Sequence, residues 1–303
     1  EIQITCRQSD HKLSDAIAQF CDHLGRQVPR INVKKETGDP EDKPGIQIHD
    51  GLFYQAVPAG TEIAPFIEAL QMAAAGTARK NDANLKKLSA VDLPIRMVLY
   101  VASECTFCPQ AVRQLLPLPS ANPHIHLTVI DAGSFPELAE KDNLQSVPTL
   151  ILEDLFRWSG RFQTDEIVKM IINRDPSSLG PLSLEMMLQD GKAGRLAEMM
   201  LAKAQIFPAF YRLLIHPKWP VRLGAMVVMD ELIEKNLDLC LQIIPQLWQQ
   251  FDTLDDRVKG DLLYIFGQTR QKEIIPYLKK VLNGDFEQEV KEAAQEALQK
   301  CNA

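Results

Sequence analysis

Apolar positions follow two patterns along the chain: short alternating or continuous runs as far as about residue 175, then helical spacing to the end. In the first pattern the run 97–101 (Met-Val-Leu-Tyr-Val) is unbroken, as in a strand buried on both faces. It stops at Ala102, Ser103 and Glu104, and Pro109 then opens a segment whose Val112, Leu115 and Leu116 keep helical spacing. Further strands are read at 126–130, in the run that follows Pro148, and at an edge around 156–160, with helices over 135–142 and 164–174. The first ninety residues repeat the order: strand 2–7, helix 13–24, strand 31–34, a loop over 36–43, strands 46–48 and 52–57 about a turn at Asp50-Gly51, and helix 61–75. Thr61 suits the cap of that last helix and Glu62 its first turn. The polar stretch 78–93 reads as a partly helical linker, and Asp175-Pro176 through Gly180-Pro181 as a domain boundary.

Beyond Gly180 the chain is read as helical throughout, and a motif recurs. Val221-Arg222, Val258-Lys259 and Val290-Lys291 each place a basic residue after a valine and a small or apolar residue four positions after the valine, at the start of the second helix of a pair. Helical pairs of this kind resemble HEAT-type repeats, which stack because one pair cannot bury its apolar face alone. The expected fold class is therefore multidomain: two tandem α/β units over 1–77 and 78–176, then an all-α solenoid over 181–303.

Composition narrows the function classes. The chain has 303 residues, 46% hydrophobic and 24% charged, with a net charge of −7, which argues against nucleic acid or an anionic membrane as the main partner. No run is long and apolar enough to span a bilayer and no signal peptide is visible, so a cytoplasmic protein is expected. The chain starts at Glu1 almost directly in a strand, which reads as a processed product compatible with a removed leader. Of six cysteines only Cys105 and Cys108 are paired in sequence, while Cys6, Cys21, Cys240 and Cys301 are scattered and read as small core residues. That scatter fits a reducing compartment. No second ligand pair supports a zinc site, and His124 and His126 alternate on one strand face.

Strand, Cys-x-x-Cys and helix together suit thiol–disulfide exchange. Cys105 is expected in the first turn of its helix, where free N–H groups favour a thiolate that attacks, and Cys108 is expected one turn on, shielded, as the resolving thiol. Val147-Pro148, just before the apolar run Leu150-Ile151-Leu152, completes a pattern that resembles the thioredoxin superfamily. The resemblance implies a cis peptide at Pro148 and a groove in which Val147 meets the substrate backbone. Pro44 holds the matching place in the first unit, where Ser9-Asp10-His11-Lys12 stands in for the dithiol.

Pro109 after the dithiol, the segment Ile130 to Phe135, Val147-Pro148 and Gly60-Thr61-Glu62-Ile63 make the first 175 residues similar to the N-terminal domain of the flavoprotein subunit of alkyl hydroperoxide reductase. More distantly they resemble the two-fold protein disulfide oxidoreductases. The resemblance implies a dithiol that carries electrons to a client such as a peroxiredoxin. It also implies an acid–base or pKa-tuning role for Glu62, beside the plainer reading of a carboxylate at a helix N-terminus. No Gly-x-Gly-x-x-Gly follows, so the donor is expected to be a separate flavoprotein or thioredoxin-reductase-type protein, with no cofactor other than the Cys105–Cys108 disulfide. Thr106 and Phe107 are expected to tune exposure of the site, and the carboxylate of Glu104 to oppose the helix dipole and make it less oxidising. The helical repeats are expected to dock a protein. The alternative is a HEAT-repeat interaction scaffold whose dithiol is a redox switch or a relic.

Overall fold

A computed structural model describes residues 1–39, 42–76 and 83–302. Pro40 and Glu41 in the expected loop, and residues 77–82 at the expected junction of the two α/β units, lie outside the described residues. The chain divides into two compact units, Glu1–Arg174 and Asp175–Ala303.

In the first unit the elements are β1 (Ile2–Gln8), α1 (Ser14–Gln27), β2 (Ile31–Thr37), β3 (Gly45–His49), β4 (Leu52–Gln55), α2 (Ile63–Ala75) and α3 (Ala83–Leu88). They continue with β5 (Ile95–Val101), α4 (Cys108–Leu115), α5 (Pro117–Ala121), β6 (Ile125–Asp131), α6 (Pro136–Lys141), β7 (Thr149–Leu152), β8 (Phe156–Ser159) and α7 (Thr164–Asn173). All eight strands join one sheet in the order β2-β1-β3-β4-β6-β5-β7-β8. The same four-strand order thus occurs twice. In each half the first two strands run parallel and the hairpin that follows is antiparallel. The halves meet where β4 pairs parallel with β6, from Leu52 against Leu127 to Gln55 against Ile130. A strand that would be an exposed edge in a single unit is thereby covered.

Burial follows the sequence pattern. In β5 every residue except Arg96 is buried, as its continuous apolar run requires, and β7 is buried along its whole length. α1 turns Ile17, Ala18 and Cys21 onto the sheet, and α4 turns Cys108, Ala111, Val112 and Leu115. Because β4, β6 and β5 are parallel neighbours, the loops leaving their carboxyl ends converge. Residues after Gln55, Asp131 and Val101 therefore share one end of the sheet, and the dithiol lies among them.

The second unit is helical: α8 (Pro181–Gln189), α9 (Ala193–Lys203), α10 (Phe210–Leu214), α11 (Trp219–Lys235), α12 (Leu237–Leu241), α13 (Ile244–Gln250), α14 (Asp256–Gln268), α15 (Ile275–Asn283) and α16 (Gln288–Asn302). α12 and α13 are separate helices, since Pro245 lacks the N–H that an uninterrupted helix needs and stands in the first turn of α13. The three Val-basic motifs fall in the first turns of α11, α14 and α16, and α14 packs against both of the others. Arg222, only 3% exposed, donates to the carbonyls of His216 and Pro217 and to Asp261 Oδ2 at 2.6 Å, tying α11 to α14. No helix among the described residues is long and apolar enough to cross a membrane.

Candidate functional site

The helix bearing the dithiol begins at Cys108, three residues later than expected, and Cys105 lies in the turn before it. Pro109 explains the start: its fixed φ suits the first helical turn, and its missing N–H is one the helix leaves unbonded anyway. Cys105 still receives a donor from the helix end, the Cys108 N–H at 3.2 Å from its sulfur. The two cysteines are joined in a disulfide with Cα atoms 5.5 Å apart. Cys105 is half-buried and Cys108 wholly buried. Thr106 and Phe107 project outward between them, Phe107 with 54% of its surface exposed, and Glu104 is exposed beside them.

Across from the disulfide the Val147–Pro148 peptide bond is cis, and the Val147 carbonyl oxygen is 3.9 Å from Cys105 Sγ. The Pro148 carbonyl accepts the N–H of Gly160 at 2.8 Å, so the proline loop is held to the end of β8. Thr149 continues the loop, its hydroxyl donating to the Ser146 carbonyl at 2.8 Å.

The first half of the unit contributes a clamp. In place of the cap expected from Thr61, no side chain caps α2, and the Thr61 hydroxyl bridges to the carbonyls of Ser103 and Cys105, each at 3.1 Å. Its backbone N–H reaches the same Ser103 carbonyl at 3.0 Å. Gly60 makes that approach possible: its φ is +55° and a Cβ there would stand 2.4 Å from the Ser103 oxygen. A side chain at position 60 meets both a disfavoured backbone and a backbone clash. Gly60→Ala is therefore expected to cost the fold about 1–3 kcal/mol. An unchanged urea midpoint would show that the turn yields freely.

Behind this turn lies Glu62, 4% exposed, with neither carboxyl oxygen hydrogen-bonded. The Tyr54 hydroxyl is also buried and unpartnered. Both line a small cavity of about 10 Å³, with Val101, Ser103 and Asp131 on its other walls. Loss of water pushes the Glu62 pKa up to about 7, the Asp131 carboxylate adds to this, and Arg113 opposes it. Burial first, then the charge of Glu62, raises Tyr54 as well. Glu62 thus joins the dithiol through the Thr61 clamp and the Ser103 wall. Neither of its oxygens bonds to a cysteine.

Two further contacts join the halves. Arg113 on α4 holds Glu68 on α2 through both carboxylate oxygens, at 2.9 and 2.8 Å from Nε. His11, from the loop that replaces the dithiol in the first half, stacks on Phe135 with ring centres 4.9 Å apart and meets Glu137 at 3.3 Å. The other four cysteines are buried, and burial pushes the Cys240 thiol up to about 12. That leaves Cys105, half-buried, as the least buried of the six cysteines. Among the described residues no three His, Cys, Asp or Glu side chains converge where a metal ion would bind.

Residues of the site that sequence reasoning missed are Tyr54, whose alternating strand position reads as core, and Thr61 in its crossing role. Arg161 is a third, placed over the Phe107 ring at 5.5 Å by the turn at Gly160. No local signal marks any of them, because each acts across the junction of two elements.

Residues 96–173 match a thioredoxin domain family model. The chain is 24% identical over 177 residues to a protein called NADH dehydrogenase from Ferdinandcohnia aciditolerans, covering 56% of this chain and 34% of the relative. With the AhpF component of alkyl hydroperoxide reductase from Escherichia coli it shares 22% over 175 residues, again 56% of this chain and 34% of the relative. The chain thus spans about a third of the length of these relatives. The NTD_N/C domain of alkylhydroperoxide reductase AhpF from Enterococcus faecalis superimposes with a TM-score of 0.51 at 18% identity, covering 56% of this chain and 90% of that one. The thioredoxin-like fold read from the sequence is therefore the fold of the first unit, followed by a helical region.

Proposed function

We propose that the first unit is a dithiol–disulfide oxidoreductase and that its redox group is the Cys105–Cys108 disulfide itself. The observation that carries the reading is the asymmetry within one bonded pair: Cys105 is accessible and takes a helix N–H at its sulfur, while Cys108 is buried. In the reduced protein the Cys105 thiolate attacks one sulfur of a client disulfide and releases the other as a thiolate. Cys108 then attacks Cys105 Sγ, expelling the second client sulfur and restoring the disulfide. Two electrons pass to the client, and a donor dithiol returns them by the reverse exchange. Val147 and Pro148 are assigned the groove against which the client backbone lies. Glu62 is assigned the proton traffic of the exchange, and Thr106, Phe107 and Glu104 the exposure and charge of the site.

The likeness to the AhpF component of alkyl hydroperoxide reductase supports a peroxiredoxin-type client and a separate flavoprotein donor. The helical unit is assigned to docking one of them, as HEAT-like repeats would. What favours this is the row Trp219, Leu223 and Val227, spaced every four residues along α11 and exposed.

The test is the reduction potential of Cys105–Cys108, read by mass-tagged alkylation across thiol buffers with Cys105→Ser as control. A reversible two-electron transition below about −180 mV is expected, on the reducing side of protein disulfide isomerase. Absence of a transition, or thiols that resist alkylation in the folded protein, would move the assignment to a binding scaffold.

A further inference from the structure

Beside the dithiol runs a groove of about 250 Å³ whose walls include Phe107, Gln110 and Gln114 on one side and Gly160, Arg161 and Gln163 on the other. The helix side follows from spacing, since Gln110 and Gln114 are four apart on α4 and share a face. The opposite side is set by Gly160, whose φ of +76° turns the chain out of β8 and whose N–H is fixed to the Pro148 carbonyl at 2.8 Å. That turn lays the Arg161 guanidinium over the ring of Phe107, 5.5 Å from its centre. A guanidinium held by its face keeps its N–H donors at the edges, where they meet a planar carboxylate. Both side chains are exposed, and among the described residues Arg161 has no ion pair. The groove walls carry three amide side chains and no carboxylate. In a chain of net charge −7 this is an uncompensated positive point next to a reactive sulfur.

We infer that Arg161 selects the client: the groove takes a polypeptide disulfide in which an acidic residue flanks the reacting half-cystine. This rests on the oxidoreductase reading and names its substrate class. The segment runs along Val147 and Pro148, its sulfur meets Cys105, and its carboxylate meets Arg161 over Phe107.

The test uses the reduced full chain and three symmetrical peptide disulfides identical except for the residues flanking cysteine, which are glutamate, glutamine or lysine. The readout is the ratio of single-turnover second-order rate constants between peptides, each reduced chain being oxidised once as its peptide is reduced, so a general change in activity cancels. The glutamate peptide is expected to exceed the glutamine peptide by about fivefold in the unmodified protein. In Arg161→Gln the ratio falls to about one, and in Arg161→Glu the lysine peptide becomes the best substrate. Salt at 1 M compresses the ratios of the unmodified protein. A ratio that Arg161→Gln leaves unchanged overturns the inference while the oxidoreductase reading stands. Glutathione disulfide carries carboxylates too. If it outruns the glutamate peptide and loses that lead in Arg161→Gln, the site serves a small thiol and the polypeptide assignment is wrong. If the unmodified protein reduces none of the peptides, the oxidoreductase reading itself fails and takes the inference with it.

Discussion

Arg174→Ala is expected to destabilise the first unit by about 3–5 kcal/mol, the usual cost of leaving one partner of a buried ion pair alone. Arg174 and Glu153 have side chains only 5% and 1% exposed and meet at 2.8 Å. The same guanidinium donates to the carbonyls of Leu93 at 3.0 Å and Pro94 at 2.6 Å, fixing the entry to β5. Glu153 Oε1 in turn accepts the Arg96 N–H at 2.9 Å. Glu153 and Asp154 both have positive φ, 54° and 61°, as the two central residues of a tight β7–β8 hairpin with Leu155 N–H bonded back to Leu152. Glutamate is an unusual choice in that conformation, and it is held there by the pair rather than by local preference. The alanine variant strands a buried carboxylate and two carbonyls. Arg174→Ala with Glu153→Ala is expected to cost less than the sum of the single changes, because the stranded charge is gone. Hydrogen exchange of peptides spanning 93–101 and 149–174 reads the first unit alone, which a global melt of a two-unit chain does not. Single changes that simply add would show that the pair is not coupled.

This pair also shows where the sequence stops being legible. Strands, helices and the dithiol can be read because each is announced locally, by the unbroken run 97–101, the helical spacing of Val112, Leu115 and Leu116, and the two cysteines three apart. The repeated strand order is legible for the same reason. The joining of β4 to β6 into one sheet is not, since pairing between two edges leaves no periodicity in either strand. Thr61 illustrates the ambiguity at a single residue: a threonine before a helix is a good cap by local rules, and only the approach of the Ser103 turn diverts its hydroxyl. Pro109, which opens the helical segment in the sequence, also sets where α4 starts, and it leaves Cys105 in the preceding turn rather than in the first turn of the helix. Arg174, at the end of α7, reads as an ordinary basic residue in a last turn. Its burial comes from contacts about eighty residues back along the chain, at Leu93 and Pro94.

Glu62 is the one residue for which sequence leaves two roles, and its surroundings separate them. A carboxylate serving only a helix N-terminus sits in water with a low pKa, whereas this one is buried, unbonded and raised to about 7. The sign of the stability effect follows. The folded state holds the proton more tightly than the unfolded chain, whose glutamate titrates near 4.5. Stability is therefore highest below that value, declines as pH rises towards about 7, and levels off above it. Relative to pH 5, Glu62→Gln is expected to gain about 2.5 kcal/mol over the unmodified protein at pH 8, since part of the shift already lies below pH 5. The functional effect runs the other way. A proton acceptor poised near neutrality behind the dithiol turn suits deprotonation of the resolving thiol, and its removal is expected to slow exchange about a hundredfold. A buried structural acid would move only the first measurement. The discriminating readout is the pH profile of Cys105 alkylation and of exchange in the reduced protein: an inflection near 7 that Glu62→Gln abolishes assigns the proton to Glu62. A profile unchanged by that substitution leaves Glu62 as a cost of the fold with no part in the chemistry, and Thr61 and Gly60 as the first half's whole contribution to the site.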